Sequence, residues 1–570
     1  KSKTMNKTYR LVWCSFRNAW IAVSELSKSK TKSSKTRTIG SVIAAGLMLT
    51  FSAEAFAYVA PNDICQPNPA PNQQNTTNSF YGQNIVCDWN TTYSTLVGNN
   101  ITAGGNTVNL VAVGNNISTG AGSERSTVLG SKIDHSGRFT TVIGQNIKSN
   151  TEHSIVMGED TTIGGGNYDI SIGGNQNILN SQHTVALGNN IKTSGSITSL
   201  AAGNDTTITN SRLATAVGDR TSVTDSTSAS AFGAGSSIIK ADHATAVGIG
   251  ASVNESHSSF AGGKNASITG GYGNIAIGST STVSNTFGSS AIGYESSVTG
   301  NSRGMALGAQ AKVTDSDRGT ALGASASVTN SASASASGNN ASVTDGIGSQ
   351  ALGNNANVTS STRSSAMGNG AKITSSNDAL AAGSKADVAT SERGTAVGFA
   401  ATVDNSSIAN AIGTGAKVVD SHAASAFGTN ATVTDSKEAT AIGRYSKVTD
   451  SAQSIVAGYM AQANLSAYST ALGYNANVTN ATSSVALGTN AAVIDSNQAS
   501  AFGVNSSITS SASGVAIGNN AKLNSAADGI AIGRNANVTN AATSMALGTN
   551  SSVTVANSVA LGAGSTAVAA

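Results

Sequence analysis

The chain has 570 residues, of which only 11% are charged and 4% aromatic, against 63 glycines and four prolines. Its net charge of +3 comes from one end: residues 1 to 57 hold ten Lys/Arg and two Asp/Glu, leaving 22 basic and 27 acidic side chains, a net of −5, for the remainder. A basic groove with interleaved aromatics is thereby excluded, and with it a nucleic-acid partner.

The first element is a targeting signal. Lys28, Lys30, Lys32, Lys35 and Arg37 precede an apolar run from Ile39 to Ser52, and Ala55-Phe56-Ala57 supplies a small-x-small cleavage pattern. Cleavage is expected between Ala57 and Tyr58, and Met5 is the expected natural start, so residues 5–57 form the signal. The apolar run is too short for a helical membrane span, which needs about 20 residues.

Residues 58–92 read as an N-terminal cap. They carry Pro61, Pro67, Pro69 and Pro71, together with Cys65, Cys87 and Trp89. In an exported chain, two cysteines with no further Cys or His nearby favour a disulfide, Cys65 to Cys87, over a zinc site.

Residues 93–570 are organised by glycine. From Gly158 to Gly548 a glycine recurs every 15 residues, 27 in all, with Gly98, Gly114, Gly130 and Gly144 before and Gly562 after at steps of 14 to 16. Counted from each glycine, −2 is Ala, −1 is large and apolar, +3 is Ala or Ser, +5 is Val or Ile, +6 Thr, +7 Asp or Asn and +8 Ser, as in residues 214–226. Fifteen residues accommodate two short strands and two turns, one coil of a parallel β-solenoid. The glycines and β-branched positions work against helices, and disordered chains do not hold apolar residues in phase over hundreds of residues. About 32 coils at about 4.8 Å each predict a rod on the order of 150 Å long.

Strand alternation assigns the faces. Ala at −2 and the glycine share the cramped interior, which turns position −1 outward. That stripe consists of Val217, Phe232, Val247, Ile277, Ile292, Leu307, Leu322, Leu352, Ile412, Phe427, Ile442, Leu472, Leu487, Ile517, Ile532 and Leu547. It is longer than the few hundred Å² of apolar surface a soluble monomer exposes, so side-by-side trimerisation through it is expected. Position −3 is also apolar near the ends (Ile155, Ile170, Val185, Leu200; Val515, Ile530, Met545, Val559), where contact should be tightest. The reverse assignment fills the coil with the large residues and gives a monomeric rod.

Chemistry-bearing patterns are sparse. Asp420, Asp435 and Asp450 fall on successive coils, but Asn330, Asn480 and Asn540 occupy the same position, as expected of a turn rather than a cation site. His135, His153, His183, His243, His257 and His422 share no repeat position with a Ser or Cys partner, so no triad follows. Gly164-Gly165-Gly166 lacks the Lys-Ser/Thr of a phosphate loop. No catalytic residue, metal or cofactor is expected, and the chain reads as a non-enzyme. A glycan-cleaving solenoid would need a break in the repeat where charged residues gather, which the strict region does not offer. An ice-binding-like or purely structural solenoid is the alternative, weakened by the variable +4 column (Ser222, Ser237, Lys312, Asn357).

Two segments resemble known families. Met5 to Glu25, M-N-K-T-Y-R-L-V-W-C-S-F-R-N-A-W-I-A-V-S-E, resembles the extended signal peptide region of large autotransported proteins of Gram-negative bacteria, departing from it at Cys14 and Ile21. The S-V-A-L-G and T-A-V-G units, such as Ser484 to Gly488 and Ser558 to Gly562, resemble the YadA-like heads of trimeric autotransporter adhesins. The resemblance implies an all-β fold, a left-handed parallel β-roll, although the crossover rule for parallel strands favours the right hand. It further implies a homotrimer displayed at the outer membrane, binding host extracellular matrix proteins or cell-surface receptors. Neck, stalk and membrane anchor are expected in a longer protein, since residues 549–570 contain no heptads or barrel strands.

Overall fold

The computed structural model describes residues 78–87, 91–300 and 302–569, and the backbone of 9–14 and 19–24. The chain divides into two units, Lys1–Pro61 and Asn62–Ala570. In the first, β1 (Tyr9–Cys14) and β2 (Ala19–Ser24) form an antiparallel hairpin with Trp13 opposite Trp20. The expected cleavage site at Ala57 and Tyr58 lies outside the described residues, as does Cys65.

The second unit is one parallel sheet of 60 strands wound as a β-solenoid. Each strand pairs in register with its counterpart one coil on: Thr215, Ala216 and Val217 face Ser230, Ala231 and Phe232, and these face Thr245, Ala246 and Val247. The solenoid begins earlier than the glycine count indicates. β3 (Ser79–Cys87) pairs with β4 (Thr95–Ala103), aligning Gly82 with Gly98, so a first coil already lies within the segment read as a cap.

Five columns fill the interior, at −4, −2, +3, +5 and +8. In the coil of Gly428 these are Ala424, Ala426, Ala431, Val433 and Ser436, all fully buried. The small alanines point inward and position −1 points outward, which rules out the reversed faces. Burying a serine column requires that its hydroxyls be paired. The Ser436 hydroxyl donates to the Thr434 carbonyl at 2.7 Å, and the Ser421 hydroxyl accepts the Ser436 N–H at 2.9 Å. The same two bonds recur from Ser391 to Ser466, forming a polar thread along the core that satisfies backbone where the coil turns.

The glycines serve a different purpose from the interior room expected of them. Each glycine on the 15-residue beat from 158 to 548 holds φ between 122° and 152°, a region L-residues rarely adopt, and is only half-buried. A Cβ on Gly428 would lie 2.7 Å from the carbonyl carbon and oxygen of Gly443. Successive coils therefore stack glycine on glycine, and the period records that backbone approach.

The coil has three left-handed corners rather than the two turns expected. Positions +2, +7 and +10 take φ between 46° and 61°, for example Arg220, Asp225 and Ser228. Asn and Asp are favoured there because their short polar side chains tolerate this conformation. Each corner N–H reaches the preceding coil: Arg220 to Asn204 at 2.8 Å, Asp225 to Thr209 at 3.0 Å and Ser228 to Arg212 at 2.8 Å. The hydrogen-bond ladder thus continues around the turns.

Candidate functional site

The interior of the strict coils is filled by alanine, valine and serine columns, and the features that vary from coil to coil lie on the outer surface. The −1 stripe is its most continuous feature. Phe232, Val247, Ile277, Leu307, Leu322, Ile412, Ile442, Leu487, Ile517 and Ile532 are 37% to 44% exposed, while Val217, Ile292, Leu352, Phe427, Leu472 and Leu547 are half-buried. Cross-coil pairing places them in one file, as Leu472 beside Leu487 and Leu487 beside Phe502. The file is interrupted at Gly262, Ser337, Ala382 and Ala457. Of the flanking −3 residues, Ile155 and Val559 are exposed, whereas Val185 and Val515 are half-buried.

The corners carry most of the polar chemistry. At +2, Asn475 donates its amide to Asn490 and Asn490 to Asn505, at 3.1 and 3.0 Å, and Asn520, Asn535 and Asn550 repeat the ladder. At +7, Asp420 accepts the Asn405 amide at 2.6 Å, and Asp420, Asp435 and Asp450 are exposed with left-handed φ of 50°, 50° and 47°. That is the turn role expected for them.

The histidines are more ordered in space than in sequence. His153, His183 and His243 occupy the third corner, and His257 and His422 the column beside it. His183 and His243 both stand ten residues after a repeating glycine, and the 14-residue coil of Gly144 moves only His153 off that count. A stacked file runs along the corner: Arg125 lies over Phe139 at 5.3 Å, then Phe139, His153, Tyr168 and His183 follow at ring separations of 4.8, 4.7 and 5.1 Å, tilted by no more than 17°. His257 Nδ1 sits 3.5 Å from Asp242, and Arg363 grips Asp378 through two bonds of 2.6 and 2.8 Å. That guanidinium holds the exposed Asp378 carboxyl below its usual range.

Two buried ionisable groups depart from the pattern. His135 replaces the hydroxyl of the flanking Thr119 and Ser149 in an interior column, and burial lowers its pKa to about 4. Asp169 is fully covered, and burial raises its pKa to about 6 although its Oδ1 accepts the Thr184 N–H at 2.8 Å. Both lie in the interior of the first coils.

Surface troughs occur on both the strict and the irregular coils. One of about 640 Å³ lies beside Phe287, Asp315 and Asp317. A second, of about 790 Å³, spans the corner of the first coils beside the stacked file and includes Glu124, Arg138 and Glu152. Arg138 and Glu152 pair at 3.2 Å.

Cys87, half-buried at the end of β3, is disulfide-bonded; the partner proposed for it, Cys65, is not among the described residues. No helix of the described residues is long and apolar enough to cross a membrane. No curated protein matches the chain. Residues 5–53 match the family described as the extended signal peptide of the type V secretion system, so the chain couples a type V export signal to a parallel β-solenoid of about 32 coils.

Proposed function

We propose that the solenoid is the head of a trimeric autotransporter adhesin of the YadA-like kind, displayed at the outer surface of a Gram-negative bacterium. The observation that carries this reading is the outward apolar file from Val217 to Leu547 on an exported rod. In a soluble chain a file of that length calls for cover by another chain, and copies of the same rod offer an identical file in the same register. Three rods laid side by side would bury it and leave the corners, with their Asn ladders and ion pairs, facing outward.

Adhesion would then be multivalent. Weak contacts repeated coil after coil add through effective concentration, so no deep pocket is required. Host extracellular matrix proteins or cell-surface receptors are the proposed partners, and no catalytic step is part of the function. Adhesion is tested by applying the purified chain to immobilised collagen, fibronectin and laminin. Saturable retention on at least one supports the reading, and retention on none, with the fold intact by circular dichroism, contradicts it.

A further inference from the structure

We propose that the trough on the first coils is a binding site for an extended, polyhydroxylated chain, an oligosaccharide of about four sugars. The inference gives a ligand class to the adhesive reading above and rests on it for its place at the cell surface.

The trough runs across the coils of Gly98, Gly114, Gly130, Gly144 and Gly158, from Asn106 to Asn167, and the first four of these coils depart from fifteen residues. Its lining includes Gly122, Gly137, Gly165 and Gly166; a Cβ on Gly122 would meet nothing within 4 Å, whereas one on Gly137 or Gly166 would strike the carbonyl of Thr151 or Ser181 on the next coil. Its lining comes from five successive coils, which at about 4.8 Å per coil gives a length of about 19 Å along the rod. The trough, of about 790 Å³, is open to solvent and mostly polar along its length.

The polar groups converge on the trough: Asn106, Glu124, Arg138, Asn150, Glu152 and Asn167. Carboxylates, a guanidinium and carboxamides are planar groups with two donors or acceptors each, matched to the paired hydroxyls of a sugar ring. Arg138 bridges to Glu152, and Glu124 stands on the coil before. The stacked file holds this wall in place. Arg125, Phe139, His153 and Tyr168 each follow directly in the chain a trough residue, respectively Glu124, Arg138, Glu152 and Asn167, so ring stacking fixes the spacing of the polar groups beside it.

A peptide is the less favoured occupant. Peptides that bind a sheet in extended form use its free backbone groups, and here those groups are engaged. The N–H groups of Phe139, His153 and Tyr168 donate to the carbonyls of Glu124, Arg138 and Glu152 at 2.8, 2.9 and 3.0 Å. The lining offers no apolar pocket for alternate side chains.

The experiment is calorimetric titration of the purified chain with chitotetraose, cellotetraose and maltotetraose, together with a glycan array. The expected result is saturable binding of at least one glycan, weakened at least tenfold in Glu124→Gln and in Glu152→Gln and unchanged in Asp435→Asn on the strict coils. All four proteins should share one melting temperature, because the substituted side chains are at the surface. Absence of glycan binding, equal binding by the trough variants, or displacement of the glycan by a collagen-type peptide would overturn the inference. Loss of glycan binding with retained matrix adhesion refutes the trough alone; glycan binding without matrix adhesion refutes the matrix reading alone.

Discussion

The first coils and the strict coils follow the same path with different contents. In β4, β5 (Val111–Thr119) and β6 (Thr127–Ser136), position +3 is Ile101, Ile117 and Ile133, and the strand continues unbroken through the glycine. β7 (Thr141–Glu152) and β8 (Ile155–Asn167) reach 12 and 13 residues. From Ser236 onward +3 is Ser or Ala, its N–H folds back to the glycine carbonyl at 3.1 to 3.5 Å, and the strands shorten mostly to three residues. Twelve of the sixteen buried isoleucine and leucine side chains lie between Ile85 and Ile238, the others being Ile268, Ile373, Ile508 and Leu523. In these first coils isoleucine goes with an unbroken strand, whereas alanine or serine goes with a closed turn; at Ile191 the strand already stops at Asn189 and restarts at Lys192, so this side chain contributes to the corner without setting it alone. The strict coils gain a uniform period and surrender apolar burial, which the serine thread and the corner ladder offset.

That difference can be broken most severely at a glycine. Gly428→Ala places a Cβ against the Gly443 backbone at φ of 130°, and neither coil can move without disturbing the next. A loss above about 4 kcal/mol is expected, confined to nearby coils because repeat arrays pass stability mainly to neighbours. Hydrogen exchange should show opening around residues 413–458 and unchanged protection near Ile117.

Exchanging the two kinds of +3 residue sharpens the comparison. Ile117→Ala empties an open corner and should cost about 2–5 kcal/mol. Ala431→Ile forces a closed corner and should cost about 1–3 kcal/mol through overpacking. Denaturant melts of fragments or of the whole chain by hydrogen exchange distinguish the two, and equal small losses at both sites would refute the corner argument.

Acid should act on the first coils through two buried groups, His135 and Asp169. Burial depresses the His135 pKa to about 4, so the folded chain declines a proton that the unfolded chain takes up below about 6.5. Its contribution is present above pH 6.5 and lost as pH falls towards 4, on the order of 3 kcal/mol. Asp169 has the opposite sign: its pKa is raised to about 6, so acidification from 6 to its unfolded value near 4 favours the folded state. Asp169→Asn should therefore expose a steep loss of stability on acidification, and His135→Thr should reverse the slope. Melting temperatures at pH 7, 5.5 and 4.5 measure both.

Much of this was legible in the sequence because side chains alternate across a strand and the coil repeats at a fixed interval. The solenoid, the inward alanines and the outward file from Val217 to Leu547 follow from that alternation, and the Asp and Asn at +7 from turn chemistry. The corners at +2 and +10 were not legible, since Arg220, Tyr445 and Ile408 carry left-handed φ without a turn-forming side chain. The coil of Gly82 was hidden by the proline-rich composition around it. The trough was missed because its glycines lie off the 15-residue beat, and coil lengths of 14 and 16 move Glu124, Arg138 and Glu152 out of a common column. The role of the repeating glycine was read as room inside the coil, because contact between the backbones of successive coils leaves no trace in one repeat.

The central claim is that identical rods cover the outward file, and the molar mass of the purified chain in solution tests it most directly. Multi-angle light scattering at micromolar concentration should return three times the chain mass, and Ile517→Asp with Ile532→Asp should release single chains whose circular dichroism is unchanged, because both side chains lie outside the coil. A wild-type chain that runs as a monomer, or a variant that unfolds its coils instead of separating, would contradict it.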